Sequence, residues 1–198
     1  MLKKLMLVLC ASLLSIVTAA QESVLPYSYI EAGYVLGETL GKDSVGFRLK
    51  GSKSINHFLY ASASYTSLLS DDPVTDFNGV PVNDELDRKQ MDVGIGVHTV
   101  IDEVPDFIAE IHYVNHDTSA GAESESDSGY RGTLGFRLPG GDNYEVVAMI
   151  NHTRIGGERE TGFELGGRMR AGESNSLGLG FNKTFDVEVF RLDFRIGL

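Results

Sequence analysis

Glu110, His112 and His116 stand on alternate positions of one short stretch, and carboxylate with imidazole is the chemistry of metal binding or proton transfer. In an extended chain, positions four apart are separated by roughly 13 Å. Two zinc ligands must each approach the ion to about 2 Å. His112 and His116 therefore cannot share one metal on a strand, and neither a metal nor another cofactor is expected. For hydrolysis, the nearest acid–imidazole pair is Glu110 with His112, with Asp92 on the adjoining segment. A general base needs a positioned partner and a path for substrate. No Gly-x-Ser-x-Gly or His-x-Ser arrangement accompanies the pair.

The same parity carries a larger charged set. Glu31, Arg48, Lys50, Asp92, Glu110, His112, Arg131, Arg137, Glu145, Glu164, Arg168, Arg170, Arg191, Asp193 and Arg195 all alternate with apolar residues. Bases and acids are nearly balanced. Near balance suits an interior stitched by charge pairs, because a buried unpaired charge costs several kcal/mol. The core of this expected network is Glu31, Arg48, Asp92, Glu110, His112, Arg131, Glu164, Arg168, Arg191, Asp193 and Arg195. A narrow, weakly selective pore is the functional alternative to a structural plug. Two further segments, 67–87 and 117–128, hold Asp71, Asp72, Asp76, Asp84, Glu85, Asp87, Asp117, Glu123, Glu125 and Asp127 without any Lys or Arg. Their spacing matches no EF-hand, so they read as solvated acidic loops.

The elements that place these residues are strands. The chain ends VEVFRLDFRIGL, with Phe190, Leu192, Phe194, Ile196 and Leu198 on one parity and Arg191, Asp193 and Arg195 on the other. On a helix that spacing would smear the apolar residues around the cylinder; on a strand it gives one greasy face and one charged face. Similar period-2 segments between turn signals predict about ten strands, near 27–36, 43–50, 56–66, 89–99, 106–116, 129–138, 144–153, 160–170, 174–182 and 186–198. Eight is possible if one hairpin merges. The short turns fall at 51–55, 100–105, 139–143 and 171–173, and the longest loops, 67–87 and 117–128, fall at the opposite end. An even number of spanning strands with that asymmetry predicts an all-β fold, a closed antiparallel transmembrane β-barrel with both termini in the periplasm.

Alternation alone does not say which face is inside. Tyr34, Tyr65, Tyr113 and Tyr130 fall on the apolar face near the predicted outer strand ends, where amphipathic rings meet a membrane–water boundary. Phe107, Phe136, Tyr144 and Phe194 would form a lower girdle. Gly94, Gly96, Gly135, Gly166, Gly178 and Gly180 fall on the charged face. Glycine weakens a solvent-facing strand, but a narrow lumen packed with arginines needs small neighbours. Both observations put the apolar face towards lipid.

The amino terminus fits export. Lys3 and Lys4 precede an apolar run over 5–17, and Thr18, Ala19 and Ala20 offer a cleavage site before Gln21. Residues 1–20 are expected as a signal peptide and 21–198 as one barrel domain. Cys10, the only cysteine, lies in the leader, so the mature chain forms no disulfide. The formal charge of −11 becomes more negative by two when Lys3 and Lys4 leave, which argues against nucleic acid as a partner.

Tyr27-Ser-Tyr-Ile-Glu-Ala-Gly-Tyr34, Gly46-Phe-Arg-Leu-Lys-Gly-Ser52, Tyr60-Ala-Ser-Ala-Ser-Tyr65 and the closing Arg195-Ile-Gly-Leu198 resemble the small outer-membrane β-barrel proteins of Gram-negative bacteria, in the porin-like superfamily. The resemblance implies residence in the cell outer membrane. It implies contact with lipid and lipopolysaccharide, and handling by periplasmic chaperones and the barrel-assembly machinery. It also implies a structural or surface-interacting protein without catalysis, with a passive channel and an outer-membrane hydrolase as the alternatives. Unlike the usual members, this chain ends in Leu198 rather than an aromatic residue.

Overall fold

A computed structural model describes residues 25–39, 41–70, 74–75, 81–82, 86–99, 105–120, 123–140, 143–172, 174–184 and 187–198. The expected leader, 1–20, lies outside these residues. Among the described residues the strands are β1 (Tyr29–Thr39), β2 (Lys42–Ser54), β3 (Leu59–Ser70), β4 (Val74–Thr75), β5 (Pro81–Val82), β6 (Leu86–His98), β7 (Asp106–Ala120), β8 (Glu123–Gly140), β9 (Tyr144–Ile155), β10 (Glu158–Arg170), β11 (Asn175–Thr184) and β12 (Val187–Gly197). Ten of them close into an antiparallel barrel of neighbours β1-β12-β11-β10-β9-β8-β7-β6-β3-β2, while β4 and β5 form a separate two-stranded hairpin. The barrel closes where β12 meets β1, in a register running from Tyr29↔Gly197 to Thr39↔Val187.

The period-2 pattern lands as the sequence predicts. Phe190, Leu192, Phe194 and Ile196 are 64, 55, 43 and 45% exposed, while Arg191, Asp193 and Arg195 between them are 8, 3 and 7% exposed. Phe47, Phe107 and Leu177 also face outwards. This is a barrel turned inside out relative to a soluble one: greasy wall, charged interior. A ring of aromatics girdles the outer face. Tyr113 and Tyr130 meet at 6.2 Å between centroids and Phe47 and Tyr65 at 5.9 Å. Phe163, Phe181 and Phe190 continue the belt at 5.7 and 4.8 Å. Phe107 and Phe136 stand directly opposite each other towards the end that carries the termini.

Two segments differ from expectation. Residues 117–120 and 123–128 are strand, not open loop: β7 and β8 stay paired to Ala120↔Glu123. Serine and acidic residues give no hydrophobic period there, so the ladder is invisible to pattern reading although the backbone bonds continue. β9 joins β8 only at Gly129↔Ile155, so this hairpin rises beyond its neighbour. Similarly, β2 runs on to Ser54 and so absorbs most of the predicted turn at 51–55.

Candidate functional site in the barrel lumen

Glu31 on β1 is the hub of the interior. Its Oε2 accepts from Arg168 Nη2 at 2.6 Å and from Arg195 Nε at 2.9 Å, and Arg48 Nη1 stands 3.9 Å from Oε1. Arg195 is its direct cross-strand partner, whereas Arg168 reaches it across the lumen from β10. Arg137 grips Glu145 with two parallel bonds of 2.8 Å, the fork geometry that suits guanidinium and carboxylate. Arg191 donates to Glu164 at 2.8 Å and lies 3.6 Å from Asp193. Asp92 accepts from Ser64 at 3.0 Å, Gln90 at 2.8 Å and Arg131 at 3.2 Å. Glu110 accepts from Tyr60 at 2.6 Å, with His112 Nε2 3.4 Å away. Every residue of the expected network thus points inwards. Arg170 does not; it is exposed at a strand end.

Glycines make room for these side chains where the walls are tightest. The guanidinium of Arg191 lies over Gly180, where an added Cβ would stand 2.7 Å from Nη2. The Tyr60 ring occupies the space of a side chain at Gly96.

Further lumen residues lie outside the charged set read from the sequence: His98, Asp106 and Arg88 face inwards. His116, on the parity of Glu110, faces inwards too, with its Nδ1 3.3 Å from Arg88 Nη2. The inward-facing charges among the described residues include Arg48, Lys50, Arg88, Arg131, Arg137, Arg168, Arg191 and Arg195 with Glu31, Asp92, Asp106, Glu110, Glu145, Glu164 and Asp193, and Glu160 and Asp127 stand opposite buried Thr153 and His116 towards the outer mouth.

At the end that carries the termini, the expected first strand begins at Tyr27 whereas β1 begins at Tyr29. Residues 25–28 precede β1; Leu25 and Tyr27 are buried, while Ser28 stays at the wall, its carbonyl accepting from Leu198 N at 3.0 Å. Tyr27 stacks on His98 with centroids 3.7 Å apart and planes at 9°, and the Arg137 guanidinium lies 4.5 Å from its centroid. Its hydroxyl donates to Asp106 at 3.1 Å. Burial pushes the Tyr27 hydroxyl up, so it keeps its proton for that bond. Leu25, Tyr27, Tyr60 and Ile108 form a buried apolar cluster with Met149 against it. In β9, Val146 faces outwards, while Val147 and Met149 line the chamber that lies against Tyr27. Truncation of Tyr27 to Ala should uncover Ile108. With Ile108→Cys as reporter in the mature chain, a membrane-impermeant thiol reagent should label several-fold faster once Tyr27 is Ala. An unchanged labelling rate would mean that Tyr27 is not what covers the mouth.

Among the described residues, small chambers of about 40, 50 and 90 Å³ lie in the lumen above the plug and share Arg48 and Glu164 in their walls. The first lies against Tyr27, and the last is lined by Val35, Leu68, Arg88 and His116 towards the opposite mouth. Among the described residues, no three His, Cys, Asp or Glu side chains converge as a metal site.

A closed antiparallel barrel with lipid-facing apolar residues and a charged interior is the fold of outer-membrane β-barrel proteins. Among solved structures, the chain is similar to the KdgM porin in complex with disordered oligogalacturonate, at 9% identity and a TM-score of 0.50, covering 86% of this chain and 99% of that one. It is also similar to Ail, the attachment invasion locus protein of Yersinia pestis, in complex with the heparin analogue sucrose octasulfate, at 15% identity and a TM-score of 0.38, covering 85% and 94%. The β-domain of the Bordetella autotransporter BrkA matches at 12% identity and a TM-score of 0.46, covering 86% and 98%. No protein-family model matches the chain, and no curated protein matches it.

Proposed function

We propose that this chain is an integral protein of the cell outer membrane, structural or surface-interacting and without catalysis, whose lumen is closed. Its termini face the periplasm, and the β7–β8 hairpin stands on the outside among lipopolysaccharide headgroups. Periplasmic chaperones and the barrel-assembly machinery are its partners during insertion. The observation that carries this reading is the packing of the lumen: Arg168 reaches Glu31 from a non-neighbouring strand, Arg195 and Arg191 hold Glu31 and Glu164 along the wall, and Tyr27 packs into one mouth. A hydrolase is disfavoured on size. Glu110 and His112 line a chamber of about 50 Å³, too small for a peptide or an acyl chain.

The channel reading draws on the three chambers in file and on the KdgM porin, which was seen with an oligogalacturonate. A track for an acidic sugar needs guanidiniums free to bind it. Here Arg137, Arg168, Arg191 and Arg195 already hold carboxylates. Liposome swelling distinguishes the two. Vesicles carrying the folded protein should not swell in a small sugar such as arabinose, and the protein should fractionate with outer membranes. Rapid swelling would favour the channel.

A further inference from the structure

We propose that Arg154 and Arg159, at the outer end of the β9–β10 hairpin, form a binding site for a phosphate group of lipid A, the phosphorylated glycolipid of the outer leaflet. The site rests on the outer-membrane reading above and adds to it which lipid docks and where. The two arginines stand directly opposite each other in the β9–β10 register. Both are exposed, and Arg154 lies between buried Thr153 and Ile155, so the pair stands on the outward face of the wall. Side chains directly opposite on neighbouring strands have Cβ atoms about 4.5–5.5 Å apart, and like charges so placed repel. Glu158 and Glu160, on either side of Arg159, fall on the other parity, opposite buried Ile155 and Thr153. Among the described residues neither arginine forms an ion pair. By contrast Lys183 and Lys89, exposed on the same rim, are held by Glu188 and Asp87. Two adjacent guanidiniums without a carboxylate call for an anion, and a phosphate accepts from both in the forked geometry that arginine offers.

The surroundings select a lipid phosphate. Tyr130 on β8 stands directly opposite Arg154, on the side away from Arg159, and its ring meets Tyr113. One row across the outer wall thus runs Tyr113, Tyr130, Arg154, Arg159. Tyrosines mark the membrane–water boundary, so the arginines lie at the depth of lipid headgroups. One row deeper, Gly132 stands between Ile111 and His152, and His152 stands opposite Thr161. An added Cβ at Gly132 would meet nothing within 4 Å, which leaves a shallow depression in the wall. The exposed His152 ring beside it, with Nδ1 3.1 Å from Thr161 Oγ1, presents polar atoms to a sugar. Deeper still, exposed Leu134 and Ile150 stand opposite each other as a surface for acyl chains. From the outer end inwards the wall offers contacts for phosphate, sugar and acyl chain, which is the make-up of lipid A; a glycerophospholipid lacks the sugar.

The test is thermal unfolding of the folded protein in neutral detergent, followed by loss of its compact, heat-modifiable gel form. Bisphosphorylated lipid A, dephosphorylated lipid A, phosphatidylglycerol and inorganic phosphate are titrated in turn. The unfolding midpoint should rise and saturate with bisphosphorylated lipid A and stay in place with the other three. Arg154→Gln combined with Arg159→Gln should raise the half-saturating lipid A concentration about tenfold or more. Without lipid, the double variant should unfold at or above the wild-type midpoint, because a repelling pair has gone; a lower midpoint would make the arginines structural. If the double variant does not fold, Arg159→Gln alone carries the test in the same direction. Lys183→Gln, which removes a paired cation of the same rim, should leave the lipid A response unchanged. An equal response to phosphatidylglycerol would make this a site for any anionic lipid, and an equal response to inorganic phosphate would make it no lipid site. An undiminished response in the arginine variants would put lipid A elsewhere. Each of these overturns the proposal. The outer-membrane reading fails separately, if the wild type does not fractionate with outer membranes.

Discussion

Glu31→Gln is expected to be the most damaging conservative substitution in the lumen, lowering stability by about 3–5 kcal/mol. Glu31 is 3% exposed, and one of its oxygens receives both Arg168 and Arg195. The amide keeps the shape but loses the charge, leaving two guanidiniums packed against each other without their shared anion. Asp193→Asn should be far milder, about 1 kcal/mol. Arg191 is 3.6 Å from Asp193 and keeps its 2.8 Å bond to Glu164 when that charge goes. Urea titration of the detergent-folded barrels, read by the heat-modifiable band, measures both. Equal midpoints for the two variants would show that Glu31 is not the hub of the network.

Leu192→Arg should impair membrane insertion by about 2–4 kcal/mol, the cost of an arginine near mid-bilayer on the lipid face of a barrel. Leu192 is 55% exposed on the barrel surface, between Tyr34 of β1 and Leu179 of β11. The neighbouring residue in sequence, Asp193, is buried in the lumen. One step along the strand thus exchanges lipid for a charge network. The fraction of folded protein after dilution into lipid vesicles should fall for Leu192→Arg and stay near wild type for Asp193→Asn. The reverse order would put the two faces of β12 the wrong way round.

Much of the fold is legible in the sequence because strand periodicity and burial coincide. Alternation such as Phe190–Arg191–Leu192–Asp193 fixes which side chains share a face, and the aromatic and glycine placement fixes which face is inside. Strand number follows from turn spacing, and ten strands close the barrel. Strand length is less legible. The β7–β8 ladder from 117 to 128 is built of polar residues whose backbone pairing leaves no hydrophobic trace. The plug is not legible at all. Tyr27 keeps the parity of Tyr29 and Glu31, so pattern alone extends the strand through it. Only the three-dimensional meeting with His98, Asp106 and Arg137 shows what Tyr27 packs against in the mouth.

The charge network shows the same division. Parity places Glu31, Glu164 and the arginines inside, but it does not say who meets whom. Arg168 and Glu31 are 137 residues apart and lie on strands that are not neighbours. That contact depends on how the closed barrel sets its strands across from one another, which no local pattern encodes.

Single-channel recording of the wild-type protein in planar bilayers tests the closed lumen most directly. A lumen packed with Arg168, Arg191 and Arg195, with Tyr27 in one mouth, predicts a silent membrane, with no steady conductance when folded protein is inserted. Steady conductance of the size of a general porin would contradict the closed lumen and make this barrel a channel.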